Sequence, residues 1–321
     1  MNRLVMNMML GVVGSDSGSP YYIDYRGKEL TDKNTDGWIT SYTLVDKNEY
    51  EKGKPGSGRL YLNTDKEDWN RLKNKIWQTE IPLEMFDLSE SGITYIEGAK
   101  VFIGDIPTNE LILPKTNFAI SKAKDNDIGA ICLYNVRNIV VPTSDYTPSS
   151  TGGAFRGCSS LEELTIPFIR SNDGSDTNLG FLFGNMYENW KGSVRVLQYA
   201  ENPKDHTPTE RQVYLPPELH IIKVTGTTIE RYSFSGLTTF GKRILDIFLL
   251  NAEVINDYAF YGAKNLRLYI YTETPPTLNG SHVFTNISDI DLFVPQSAYS
   301  AYVNDPVWGT IFAGRIEPMN T

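Results

Sequence analysis

The stretch Ile229-Glu230-Arg231-Tyr232-Ser233-Phe234-Ser235-Gly236 recurs in kind as Ile255-Asn256-Asp257-Tyr258-Ala259-Phe260-Tyr261-Gly262, and this pair decides the fold. Each pass is an Ile, two polar residues, an aromatic, a small residue, a Phe, one variable residue and a Gly, and each leads into an apolar run of strand character. Phe234 and Phe260 stand 26 residues apart. A unit of that length cannot bury its own apolar face and must stack on its neighbours, so a period in the twenties marks a solenoid whose coils each supply a strand and a tight return. The small residue lets two backbones approach at a corner, the Phe fills the coil interior, and the Gly takes a turn conformation closed to other residues.

Working outward, Ala154-Phe155-Arg156-Gly157-Cys158-Ser159-Ser160-Leu161-Glu162-Glu163-Leu164-Thr165-Ile166-Pro167 carries the same corner. Its Leu-x-x-Leu-x-Ile segment alternates inward and outward as a strand, and Pro ends the ladder. These runs resemble the BspA-like leucine-rich repeat family. The resemblance covers roughly residues 86 to 319, closest at 151 to 167 and from 228 onward. It implies a right-handed leucine-rich-repeat β-solenoid and, by analogy with relatives that are mostly cell-surface adhesion proteins, a binding role.

Tracking the interior plug along the chain gives Phe102, Leu133, Phe155, Phe183, Phe234, Phe260 and Phe284, with gaps of 31, 22, 28, 51, 26 and 24. Cys132 and Leu133 are read as the counterparts of Ala259 and Phe260. The gap of 51 is about two periods, and Gln212-Val213-Tyr214-Leu215-Pro216 looks like a strand-and-Pro ending, so a coil with a drifted plug is expected inside it. The polar runs Ser171 to Asn178 and Glu201 to Thr209 are expected to project from one edge as contact loops.

Residues 1–85 do not repeat and read as a small N-terminal α+β unit that mounts the repeats of 86–321 on something larger, an α+β protein overall. Strands are expected at 21–25, 38–45 and 59–62, a Gly/Pro/Lys loop at 52–58, and a helix over 64–76, where Thr64 and Glu67 form a capping box. At the other end, Thr274-Pro275-Pro276-Thr277-Leu278, Phe284, Leu292-Phe293-Val294-Pro295, Tyr299, Tyr302, Trp308 and Ile316-Glu317-Pro318 resemble the terminal segment of BspA-like proteins of Bacteroides-type bacteria and their phages. A capping segment is expected from about 272, with a short helix after Val294-Pro295 closing the stack.

The net charge of −9 and the lack of a basic stripe argue against nucleic acid as a partner. No apolar run reaches the length of a membrane span. Leu4 to Val13 resembles the core of a signal peptide, but Asn7 interrupts it, Arg3 is the only preceding cation, and Val12-Val13-Gly14 is a poor cleavage site. Cys132 and Cys158, one repeat apart, are read as reduced, buried small residues on neighbouring coils, with a bridge as the alternative.

The search for chemistry returns little. His206, His220 and His282 are scattered, and there is no zinc pattern, nucleophile elbow or phosphate loop, so no cofactor or catalytic residue is expected. Glu162-Glu163 and Asp289/Asp291 have the makings of a glycosidase pair, but strand alternation makes solvated charge the preferred reading. Asp32, Asn34 and Asp36 followed by Gly37 match the start of a calcium loop, yet Thr43 stands where the bidentate Glu belongs; an Asp-Gly turn explains the same residues. Asn279-Gly280-Ser281 and Asn286-Ile287-Ser288 match glycosylation acceptors. Tyr269 and Tyr271 alternate on one strand and so share a face, suited to stacking on sugar or protein if open, with ordinary sheet-surface tyrosine as the bland account.

The expectation is therefore a non-catalytic binding or structural protein. Of two settings, a bacteriophage virion component (fibre, spike or capsid decoration) whose N-terminal unit docks on the particle is preferred, on the weak leader, the intact Met1 and the Bacteroides-like ending. The alternative is an exported bacterial cell-surface adhesin or glycan binder. Partners are then other virion proteins or a host surface glycan or protein, in a homo-oligomer or larger assembly. In the virion setting the apolar run including Met8, Met9 and Leu10 is an assembly contact. Replacing Met8 and Leu10 by Asp is expected to abolish incorporation into particles, measured by sedimentation; particles that assemble normally with both changes contradict the docking role.

Overall fold

The computed structural model describes residues 108–319, with interruptions at 116–117, 122–130, 134, 149–151, 172–173, 185–191 and 241–242, and before these only residue 89 and the backbone of short strands. The expected N-terminal helix, the 52–58 loop, Asp32, Asn34, Asp36 and the run containing Met8, Met9 and Leu10 lie outside the described residues. The side chain of Cys132 does too.

The chain forms a mostly parallel β-solenoid of about 8 turns. Its spine is a 12-stranded sheet. From the N-terminal side its strands are β2 (Thr43–Val45), β1 (Tyr22–Asp24), β3 (Arg59–Tyr61), β4 (Leu83–Asp87), β7 (Thr108–Ile112), β10 (Asn138–Val140), β11 (Glu163–Ile166), β14 (Ile221–Val224), β16 (Leu245–Leu249), β18 (Lys264–Ile270), β20 (Ser288–Pro295) and β21 (Ile316–Met319). Only β1 and β2 pair antiparallel in this sheet; β5 (Tyr95–Glu97) pairs with β8 (Ala119–Ser121), β6 (Phe102–Gly104) with β9 (Ile131–Leu133), and β15 (Thr228–Ile229), β17 (Val254–Asn256) and β19 (Thr277–Asn279) form a small sheet at the corners. Strands thus lie within the expected 21–25 and 59–62 and at the end of the expected 38–45, and β3 pairs in parallel with β4, so the ladder runs on across residue 85.

The register shows why these residues form a stack. In β16, β18, β20 and β21, Ile247, Leu268, Leu292 and Ile316 are consecutive partners and all point inward. Leu249 and Ile270 repeat the pattern two residues on. Alternation turns Phe248, Tyr269 and Phe293 outward in the intervening positions. Inside, Phe234, Phe260 and Phe284 form a column with ring centroids 5.1 Å apart at each step. Each such pair contributes roughly 0.5–1.5 kcal/mol beyond area burial, so the column fixes the axial register as well as filling the coil.

The corner chemistry matches the motif. Gly236 and Gly262 have φ of 65° and 67°, and Asn286, with φ of 60°, takes the same place one coil later. Tyr232 and Tyr258 also adopt left-handed φ, of 60° and 61°, a cost that packing must offset. They stack on each other at 5.1 Å, and Tyr258 stacks on His282 at 4.8 Å.

Two sequence expectations are corrected by the ladder. The amide of Phe234 donates to Ala259 O and that of Phe260 to Val283 O, so each plug bonds the residue preceding the next plug. By the same rule Ile131, whose amide donates to Ala154 O, is the plug of its coil, and Phe102 pairs with Ile131. Leu133 lies two residues further and opposes Gly104. Second, among the described residues no extra coil lies in the 51-residue gap. β11 pairs directly with β14, whereas β12 (Val194–Glu201) and β13 (Pro208–Leu215) form an antiparallel hairpin of their own. The Gln212–Pro216 ending belongs to that hairpin, and Glu201 to Thr209 is its tip. The 171–178 run is only partly projecting, since Ser171 and Asn178 are fully buried.

One side chain docks the hairpin. Gln198, fully buried on β12, accepts from the Gly180 amide at 2.7 Å and donates to Ser233 O and Ser235 O at 3.5 and 3.4 Å. Gly180 opens α1 (Gly180–Phe183) and packs against Val213, where a Cβ would come within 2.4 Å of the valine side chain.

The stack ends in α2 (Tyr299–Asn304) and α3 (Trp308–Ile311), the short helices after Val294-Pro295. Trp308 and Phe312 meet Phe284 edge-on, at 5.5 and 5.0 Å, which ends the parallel column. The Trp308 indole donates to Pro276 O at 3.0 Å, and Tyr302 OH donates to Thr272 O at 3.1 Å. Burial pushes the Tyr302 phenol up to about 12. These three short helices are the α-helices among the described residues, which form the expected β-solenoid; the helix of the expected N-terminal α+β unit lies outside them.

Gln198→Ala leaves the buried Gly180 amide and Ser235 O without their partner, while Ser233 O keeps the Leu179 amide, and each such loss costs about 1–3 kcal/mol. Thermal or urea unfolding is expected to show a loss of about 3 kcal/mol, and a variant as stable as the parent contradicts this docking of the hairpin.

Candidate functional site

The outward face of the sheet carries ordered rows. In one, Glu163, Ile221, Asp246, Arg267 and Asp291 are successive partners; in the next, Thr165, Lys223, Phe248, Tyr269, Phe293 and Glu317. Charges in the first half of the face are matched. Lys223 bonds Glu163 at 2.5 Å, Arg267 grips Asp246 through Nε and Nη2 at 2.5 and 2.6 Å, and Arg137 bonds Glu162 at 3.1 Å. The hydrogen bonds it donates to Asp246 hold the Arg267 guanidinium above its ordinary pKa. Burial, then the negative charge of Asp246, raises the Tyr269 phenol.

Rows of like residues make an aromatic platform. Phe248 and Tyr269 stack with centroids 4.4 Å apart and planes 9° apart, and Tyr269 and Phe293 at 4.7 Å and 15°. Tyr271 leans on Phe248 at 6.4 Å and is 46% exposed. The two tyrosines singled out from sequence therefore do share one open face. Beside them lies a groove of about 900 Å³ lined by Tyr269, Tyr271, Phe293, Glu273, Glu317 and, among others, Pro295. Ser297 Oγ donates to Glu273 Oε1 at 2.8 Å at its rim.

Phe248, Phe293, Glu273 and Glu317 were not singled out by sequence. Aligning strands instead of corner motifs finds the aromatics, because Leu245-x-Ile247-x-Leu249, Leu266-x-Leu268-x-Ile270 and Ile290-x-Leu292-x-Val294 each hold an aromatic between their last two apolar residues.

The other candidates are structural in their contacts. Glu162 and Glu163 are engaged by Arg137 and Lys223, and Asp289 lies 3.7 Å from Arg315. His206 bonds Glu201, His220 meets Arg243 at 2.9 Å, and His282 meets Asp257 at 3.3 Å. A smaller hollow of about 240 Å³ contains Glu201 and Glu230, paired to Arg231 and Arg170. Cys158 is a buried thiol outside any disulfide, 3.2 Å from Ile131 O. Among the described residues, no three His, Cys, Asp or Glu converge on a point, and no helix is long and apolar enough to cross a membrane.

No protein-family model matches this chain, and no curated protein matches it at a significant level.

Proposed function

We propose that this is a non-catalytic attachment protein, a solenoid of BspA-like leucine-rich-repeat type that binds its target through the outward aromatic platform of Phe248, Tyr269, Tyr271 and Phe293. The observation that carries this reading is the open row of stacked rings flanked by a groove, on a face where polar alternation alone would have sufficed for solubility. The rings order one another, so a ligand meets a surface whose side-chain entropy is already spent. Inner strands and terminal cap make a rigid mount for that surface. The setting we propose is a virion, with the repeats turned to the host and the first 85 residues toward the particle.

The double variant Tyr269→Ser, Tyr271→Ser is expected to lower signal on glycan and peptide arrays at least tenfold relative to the parent, since stacking on a ring is worth roughly 1–3 kcal/mol. Its stability is expected to fall by roughly 1–3 kcal/mol, for the two stacked contacts Tyr269 loses, with the unfolding transition still cooperative. Undiminished binding by the folded variant contradicts the assignment of this face.

A further inference from the structure

We propose that the groove beyond Phe293 receives a cationic side chain, arginine above all, from a peptide segment of a partner protein. This rests on the reading of the aromatic face as the binding surface and adds the class of ligand. Phe248, Tyr269 and Phe293 form a stack that stops at Phe293, and the next partner in the row is Glu317 rather than another ring. Among the described residues, Tyr269 is the only ring that stacks on Phe293. Successive strands stand about 4.8 Å apart, so where the column stops the row leaves a step about one flat group deep, with a carboxylate on its floor.

Charge selects what fills the step. Elsewhere on this face three carboxylates are answered by cations, Glu162 by Arg137, Glu163 by Lys223 and Asp246 by Arg267, while Asp291 stands beside Arg267 without an ion pair of its own among the described residues. The groove is lined by Glu273 and Glu317 and, among the described residues, by no Lys, Arg or His. Neither carboxylate forms an ion pair among the described residues, and Glu273 has only the Ser297 hydroxyl on one oxygen. A guanidinium fits both halves of this site. It is planar and stacks on an aromatic face, and its fork of N–H donors matches a carboxylate. Lysine supplies the charge without the plane. A neutral sugar uses the ring but leaves the charge unanswered. The chain's net charge of −9 adds long-range attraction for a basic partner.

The test titrates the full chain with the peptide acetyl-Gly-Arg-Gly-Gly-Arg-Gly-amide and with its citrulline counterpart, which keeps the plane and most donors but no charge. Binding of the arginine peptide is expected, about tenfold weaker for citrulline and about tenfold weaker for Glu273→Gln, Glu317→Gln, with affinity falling as salt rises. Both glutamates are on the surface, and an unchanged unfolding curve verifies that the variant is folded. Equal binding of the two peptides, no binding of either, or indifference to the glutamine pair overturns the proposal. If a neutral β-glucan hexasaccharide binds instead, is insensitive to the glutamine pair and is lost in Tyr269→Ser, Tyr271→Ser, the cationic class falls while the binding face stands. If those serine changes also leave all array binding intact, both readings fall.

Discussion

The in-register parallel ladder is the constraint from which the rest of this structure follows. In such a ladder every residue sits directly on its counterpart one coil away, so a side chain placed once is placed again at the next step. Inward, that rule stacks Phe234, Phe260 and Phe284 and lines up Ile247, Leu268 and Leu292. Outward, the same rule stacks Phe248, Tyr269 and Phe293. Core and surface are thus two products of one register, and the platform is as rigid as the core because a slip in either disrupts both. The same rule makes ends a problem, since an unanswered coil leaves its apolar floor in water. Trp308 and Phe312 solve it by turning edge-on to Phe284, and Tyr302 and the Trp308 indole are tied to backbone carbonyls of the coil beneath.

How much of this was legible depended on where the repeats keep their chemistry. The corner at 229–236 and 255–262 is local, and its Ile, aromatic, small residue, Phe and Gly each answer to a steric demand within a few residues, so period and solenoid could be read from them. Leu133 is the sequence reading for a plug that is Ile131 because the degenerate coil offers apolar residues at both positions, and what separates them is the hydrogen bond from Ile131 to Ala154 O and its pairing with Phe102. The hairpin at 194–215 defeated the count of periods for a different reason. Its strands have the composition of ladder strands, and what sends them out of the ladder is non-local: Gln198 meeting Gly180, Ser233 and Ser235. Spacing along the chain carries no trace of that contact.

The candidate site shows the same division. Tyr269 and Tyr271 were visible because period-2 alternation places them on one face. Whether that face is open, and that Phe248 and Phe293 lie to either side, depends on register between strands 21 and 24 residues apart. Glu317 was invisible as a site residue, since its meaning comes from occupying the row position where a fourth ring would stand. The contrast between matched carboxylates at Glu163 and Asp246 and unmatched ones at Glu273 and Glu317 is likewise a property of the assembled surface.

The most direct measurement is disulfide trapping across the hairpin, in a background with Cys132 and Cys158 replaced by alanine. Thr165 and Lys223 are 58 residues apart in sequence but direct partners on β11 and β14. The pair Thr165→Cys, Lys223→Cys is expected to oxidise within one chain under mild conditions, with the loss of two hydrogens by intact mass, while Thr165→Cys, Tyr214→Cys stays reduced. If the second pair closes and the first does not, a further coil lies between β11 and β14, and the continuous ladder on which the aromatic platform depends is wrong.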